Sequence, residues 1–136
     1  MDDRDLYIPA YGVHDRTGVP LDGLLAGLTR EGWPVYTLPG APESKDGFIA
    51  SIKSVLPLDP TIQLGNWDAM SDSLWEGLHL LNAEKVAVVW PESDRLRRGD
   101  PDAYSIALDI FDSLVFGLAD LRYTVDHVTR VLVLLA

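Results

Sequence analysis

Three carboxylates stand at four-residue intervals in the middle of the chain: Asp68, Asp72 and Glu76. Residues with this spacing lie along one flank of an α-helix. Two neighbouring carboxylates can serve as general acid and general base in a hydrolytic reaction. However, side chains one turn apart on a helix point outward in parallel rather than across a substrate. The sequence therefore favours a binding role for this row, and it predicts no catalytic residue and no enzyme.

The helix that carries this acidic row is predicted over residues 67–81, with Asn66 as its N-cap. Its apolar residues recur at helical spacing and should face the core: Trp67, Met70, Leu74, Leu78 and Leu81. Trp75 is expected between this apolar stripe and the acidic row, with Ser71 close to it. The carboxylates should then face solvent beside an aromatic edge.

Helix stability alone does not explain the acidic row. Asp68 lies in the first turn, where the helix dipole favours a carboxylate, but Asp72 and Glu76 lie beyond that effect. Like charges four residues apart cost about 0.2–0.5 kcal/mol per pair. No Lys or Arg occurs between Pro57 and Ala83 to compensate. A solvated helix face is one interpretation; docking against Arg and Lys of a partner is the other, and it suits an unneutralised row better.

The overall charge supports a basic partner. The 136 residues include 21 acidic and 11 basic ones, which gives a net charge of −10. A chain of that charge is repelled by phosphate backbones, so nucleic-acid binding is not expected. Acidity for solubility alone is the alternative explanation.

Cysteine is absent, the first five residues are acidic, and no apolar run is long enough for a membrane span. We therefore expect a soluble, cytoplasmic monomer without disulfides.

Strands and helices alternate along the rest of the chain. Apolar runs predict three strands, at residues 35–38, 85–90 and 129–135. The last two runs are uninterrupted, which predicts strands that are covered on both faces. Further helices are predicted over residues 21–30, 46–56 and 101–121. Asp100 is the expected N-cap of the last helix, and Ile106 should lie on its buried face. Residues 91–99 are predicted to form a polar loop with Arg95, Arg97 and Arg98. The alternation predicts an α/β fold, a three-stranded parallel sheet packed with helices.

Residues 1–33 are predicted to form an N-terminal extension that precedes a domain of residues 34–136. The extension should contain the short helix over 21–30, and residues 6–8 could add a short strand. Its role is left open, since it could cover a sheet edge or pack as a cap. Trp33, Trp67 and Trp90 each adjoin an apolar element and are expected in the core.

The start of the acidic helix resembles the signature of the barstar family. The sequence Gly-Asn-Trp-Asp-Ala-Met over residues 65–70, followed by Asp72 and Leu74, is similar to the family pattern. That pattern has Gly, Asn, an apolar residue, Asp-Ala-Leu and a second Asp four residues after the first. The order of elements over residues 34–136 is also similar. The resemblance implies three parallel strands packed with helices, and inhibition of a barnase-type ribonuclease without a cofactor.

The resemblance also implies which residues bind the ribonuclease. In the family, the loop and the N-terminal half of the acidic helix enter the nuclease active site, where Asp72 would take the centre of the cleft beside Asp68. The expected partner-binding residues are Leu64, Gly65, Asn66, Asp68, Ser71, Asp72, Trp75 and Glu76.

The chain departs from the family pattern in three places. Leu64 replaces an aromatic residue, no residue separates Gly65 from Asn66, and Ser71 stands where an aromatic can occur. A further acidic residue of the family, late in the long helix, would fall near Asp112 or Ser113. An immunity protein against another nuclease toxin, an antitoxin in effect, is therefore one alternative. An interaction domain without inhibitory activity is another.

The histidines predict no metal site. His14, His79 and His127 are far apart in sequence and show no ligand spacing. They are expected to be ordinary surface or packing residues, and the sequence also lacks a glycine-rich phosphate loop.

Overall fold

The computed structural model describes residues 12–62 and 65–136. Within these ranges four strands form one sheet: β1 (Gly12–Asp15), β2 (Val35–Thr37), β3 (Lys85–Trp90) and β4 (Arg130–Leu135). The strand order is β1-β4-β3-β2, and every neighbouring pair is parallel. The helices are α1 (Asp22–Arg30), α2 (Lys45–Val55), α3 (Trp67–Leu80), α4 (Asp94–Gly99), α5 (Pro101–Leu118) and α6 (Leu121–Thr124). The predicted α/β class with a parallel sheet is confirmed.

The sheet has four strands, not the predicted three. The additional strand, β1, pairs with β4 in the register Gly12 to Leu132 through Asp15 to Leu135. It was missed because its four residues, Gly-Val-His-Asp, contain one aliphatic side chain and no run of apolar residues. The short strand suggested at residues 6–8 lies outside the described residues.

The stretch between residues 12 and 33 covers both an edge and a face of the sheet. Strand β1 occupies the outer edge of β4. Helix α1 and Trp33 pack on one face of the sheet and form a small core with β3 and β4, made of Leu24, Leu28, Trp33, Ala87, Val89, Leu132 and Leu134. Since β3 and β4 are also covered on their other face, the predicted two-sided burial of these two strands is confirmed.

The larger core lies on the opposite face of the sheet, beneath α2, α3 and α5. Alternate residues of β3 and β4 point to this side because side chains alternate along a strand. Val88 and Val133 meet Phe48 from α2, Leu74 from α3 and Phe111 from α5 in one cluster. Phe48 packs against Trp90 with ring centroids 4.9 Å apart. This core fixes the depth and direction of α3.

Two predictions about helices are wrong. Residues 91–99, expected to be a loop, contain α4, which is held by ion pairs from Asp94 to Arg97 and Arg98. Only one apolar side chain of α4, that of Leu96, is buried, so the sequence carries no helical periodicity there. Helix α5 ends at Leu118 rather than near residue 121, and α6 follows as a separate turn.

The buried stripes of α3 and α5 are narrower than predicted. Leu81 and Ile106 were expected in the core, but they are 39% and 38% exposed. Among the described residues, no helix combines the length and apolar character needed to cross a membrane.

Candidate protein-binding face

Helix α3 is fixed at its start by Asn66, as predicted. The side-chain oxygen of Asn66 accepts hydrogen bonds from the backbone N–H groups of Asp68 and Ala69, at 2.9 and 3.2 Å. Met70, Leu74 and Leu78 are buried on the inner face of the helix. The cap and the buried stripe together set which side of α3 faces outward.

Gly77 allows a close approach between α3 and the segment that follows α2. A methyl group on Gly77 would lie 2.1 Å from the backbone carbonyl oxygen of Pro57. The backbone N–H of Asp59 donates to the carbonyl of Ser73 at 3.0 Å along the same contact. The segment before the acidic helix is therefore held directly against its inner side.

Asp68, Asp72 and Glu76 all lie exposed on the outer side of α3. None of the ion pairs between described residues involves these three carboxylates. The cation of Lys45 comes from α2 to the edge of this face, but it lies over the Trp67 ring, 5.6 Å from its centroid. The acidic row is thus exposed to solvent, and no described residue forms an ion pair with it.

A further carboxylate, that of Asp46 on α2, lies beside the loop before α3. Gly65 and Asn66 are exposed, and Leu64 lies outside the described residues. A methyl group on Gly65 would lie 3.1 Å from Asp46 Oδ1, at the start of α2. The contact joins residues far apart in sequence, so the acidic row gave no signal for Asp46.

A groove beside the acidic row runs between α3, α5 and α6. Its volume is about 710 Å³, and it is lined by Trp75, Asp109, Asp112, Ser113, Phe116, Gly117 and Tyr123. Trp75 closes against α5 because Gly117 has no side chain; a methyl group there would lie 2.9 Å from the indole Nε1. Phe116 and Tyr123 are 72% and 65% exposed. The groove combines apolar rings with carboxylates at its rim.

The structure thus brings together most of the predicted binding residues and adds others. Ser71 is half-buried, while Trp75 lies between the acidic row and the groove. Asp112 and Ser113, the two positions named from the family resemblance, both line the groove. The sequence did not identify Asp109, Phe116 and Tyr123 as part of this face. The sequence could have indicated them through their spacing, because residues 109, 112, 113 and 116 share one side of the predicted helix.

Two of the histidines, His79 and His127, lie next to each other in the fold although they are far apart in sequence. His79 and His127 stack with ring centroids 4.2 Å apart and planes 5° from parallel, and both approach Asp126. His14 lies apart from them, in β1. Sequence spacing could not reveal this because 48 residues separate the two rings.

The described residues thus form a small α/β domain with a parallel sheet, and its helix α3 presents three exposed carboxylates. Residues 39–127 match the family model described as Barstar (barnase inhibitor). The match covers more than half of the chain, so the protein belongs to the barstar family. It includes α2 to α6, strand β3 and the whole candidate face, and leaves β1, α1, β2 and β4 outside. Searches of the curated proteins and of the solved structures each found no match.

Proposed function

We propose that this protein inhibits a barnase-type ribonuclease by placing the acidic face of α3 over the basic active site of the enzyme. The carboxylates of Asp68 and Asp72 would occupy positions that substrate phosphates take, with Asp72 central and Glu76 at the margin. Family membership supports an inhibitor rather than an enzyme. Gly65, Asn66, Ser71 and Trp75, together with Leu64, are proposed to complete the contact surface.

One observation carries this proposal: the three carboxylates of the row are exposed, and no ion pair between described residues involves them. Their mutual repulsion, modest in the free protein, is relieved when partner cations dock against them. The net charge of −10 would draw a basic enzyme toward this protein before contact. The same charge disfavours nucleic acid as the ligand.

The groove beside α3 supports a contact area larger than the acidic row. Aromatic side chains with carboxylates at the rim suit an Arg side chain, whose guanidinium stacks on rings and pairs with acids. Trp75 is shared by the row and the groove, so one continuous surface would face the partner.

Changes in the binding loop favour a partner that differs from the usual one. Leu64 in place of an aromatic residue, the direct Gly65-Asn66 sequence and Ser71 all alter side chains expected at the contact. An immunity protein against another nuclease toxin is therefore the second candidate. In either case the protein would act as a monomer in the cytoplasm, before its target leaves the cell.

An inhibition titration tests the proposal. Purified protein is added to a basic ribonuclease encoded by the same organism, and cleavage of a fluorogenic RNA is followed. We expect activity to reach zero at one inhibitor per enzyme, and inhibition to weaken as salt rises because screening shortens the reach of the charges. If the protein inhibits none of these ribonucleases but inhibits a different nuclease toxin, the result would favour the second candidate. Failure against both classes would contradict inhibition.

A further inference from the structure

Two histidines and an aspartate from distant parts of the chain meet at the C-terminal end of α3. His79 Nε2 lies 3.1 Å from Asp126 Oδ1, and His127 Nδ1 lies 3.3 Å from the same oxygen. All three polar atoms lie within 4.8 Å of one another. The imidazoles are mostly buried, at 14% and 24% side-chain exposure, whereas the carboxylate is 66% exposed. The cluster is therefore walled by protein on one side and open to solvent on the other.

In its neutral form, His127 places an acceptor nitrogen opposite an acceptor oxygen. His127 Nε2 lies 3.1 Å from the backbone carbonyl oxygen of His79, which can only accept, so Nε2 carries the proton. In a neutral ring Nδ1 then holds a lone pair, and its neighbour is the acceptor oxygen of Asp126. A cation between them removes this repulsion. A histidine whose other nitrogen donates to a backbone carbonyl is also the arrangement that orients metal ligands in proteins.

We propose that His79, Asp126 and His127 bind one divalent transition-metal ion of the Zn²⁺ class. The ligand atoms are His79 Nε2, a carboxylate oxygen of Asp126 and His127 Nδ1. Zinc bonds to nitrogen and oxygen place the ligands of a tetrahedral site about 3.3–3.6 Å apart. The observed separations of 3.1 and 3.3 Å from Asp126 Oδ1 are close to that spacing. Imidazole with one carboxylate suits Zn²⁺, Ni²⁺ or Cu²⁺ better than Mg²⁺ or Ca²⁺.

An unusual turn places the carboxylate of this metal site. Val125 has φ 69° and ψ −49°, and the backbone N–H of Asp126 donates to the carbonyl of Thr124 at 2.8 Å. These values describe a γ-turn with positive φ, a conformation that is strained and uncommon for a β-branched residue. Strained backbone persists where the surrounding structure holds it, often at ligand sites. Here the turn directs residue 126 toward the end of α3.

Metal binding has to change the packing of the two rings. An imidazole binds a metal in its own plane, whereas His79 and His127 are stacked nearly parallel, so the rings must rotate toward Asp126. His79 Nδ1 is buried without a hydrogen-bond partner. Loss of such an outer partner typically lowers metal affinity about 10–100-fold. We therefore expect micromolar rather than nanomolar binding.

Trp75 gives this metal site a built-in probe. Its ring stacks on His79 with centroids 5.1 Å apart and planes 29° from parallel. Ni²⁺ or Cu²⁺ bound at His79 should quench the indole fluorescence, and rotation of the His79 ring should change its environment. Replacing Trp75 by Phe should remove the quenching and leave calorimetric binding in place.

The experiment titrates untagged protein with Zn²⁺ by calorimetry and with Ni²⁺ by tryptophan fluorescence. We expect one ion per chain, and at least a tenfold loss of affinity in His127→Gln and in Asp126→Asn. His14→Gln, a histidine variant on β1, should bind like the unaltered protein. Circular dichroism without metal checks that each variant folds.

Three outcomes would overturn the metal site. The first is Zn²⁺ binding no tighter than Mg²⁺ binding. The second is an equal affinity loss in His14→Gln and His127→Gln. The third is full metal affinity in Asp126→Asn. Because Asp126 is largely exposed, this variant should fold, and it tests the metal site even if His127→Gln does not fold. None of these outcomes depends on ribonuclease inhibition.

Discussion

Replacement of Gly77 by Ala should destabilise the protein, although Ala is the better helix former. In a free helix the change gains about 1 kcal/mol. Here the new methyl group would lie 2.1 Å from the carbonyl oxygen of Pro57 and 2.5 Å from its carbonyl carbon, both of them backbone atoms. Overpacking of this kind typically costs about 1–3 kcal/mol or more, and a shift of the backbone segment places the cost at the upper end. We expect a net loss of about 2 kcal/mol in the free energy of unfolding, measured by urea denaturation.

Gly117→Ala is the matched control for this prediction. It gains the same helix propensity, but its methyl group would meet only Trp75, at 2.9 Å from Nε1. A side chain on the rim of an open groove can turn away, so the free energy of unfolding should change by less than about 1 kcal/mol. If Gly77→Ala is as stable as the unaltered protein, or if the two variants lose equal stability, the argument from the backbone contact is wrong.

Three further predictions concern the candidate face and its supports. Asn66→Ala removes the cap of α3 and should lower the free energy of unfolding by about 1 kcal/mol; an unchanged urea midpoint would contradict the role of the cap. Phe116→Ser should leave stability within about 0.5 kcal/mol because the ring is exposed, yet it should weaken the proposed complex, and equal affinity by calorimetry would exclude the groove from the interface. Hydrogen bonds from Arg122 lower the pKa of Asp120 below the usual aspartate range. The stability that the ionised Asp120 carboxylate contributes is therefore complete above that range, and it is lost as pH falls through the lowered pKa. An NMR titration should show the low pKa of Asp120 and its rise in Arg122→Gln; a pKa unchanged by that substitution would contradict this cause.

Much of the fold follows from local sequence signals. The runs at β3 and β4 are apolar throughout, and that pattern correctly indicated strands covered on both sides. Asn66 and Asp100 precede their helices as capping residues, and both caps form as predicted. These signals succeeded because each depends on neighbouring residues alone. The same holds for the inner face of α3.

The features that the sequence did not predict depend on contacts between distant residues or on weak sequence patterns. Strand β1 is defined by its pairing with β4, more than 100 residues later, rather than by its own composition. Helix α4 is stabilised by ion pairs from Asp94 to Arg97 and Arg98. It was not predicted because a charged sequence of this kind is also typical of a polar loop. His79 and His127 meet only because the end of α3 lies against the segment between α6 and β4. The acidic row could be predicted, whereas the groove beside it required the packing of α3 against α5.

The most direct test of the central claim compares Asp72→Ala with Asp22→Ala in binding to the cognate ribonuclease. Both substitutions remove one exposed carboxylate, but Asp22 lies on α1, on the opposite side of the sheet. Truncation of a central charged residue costs about 2 kcal/mol or more, roughly a 30-fold rise in Kd (a range that includes the barnase–barstar complex itself). We predict that rise for Asp72→Ala, a smaller one for Glu76→Ala, and little change for Asp22→Ala. Equal effects of Asp72→Ala and Asp22→Ala would show that α3 does not form the inhibitory face.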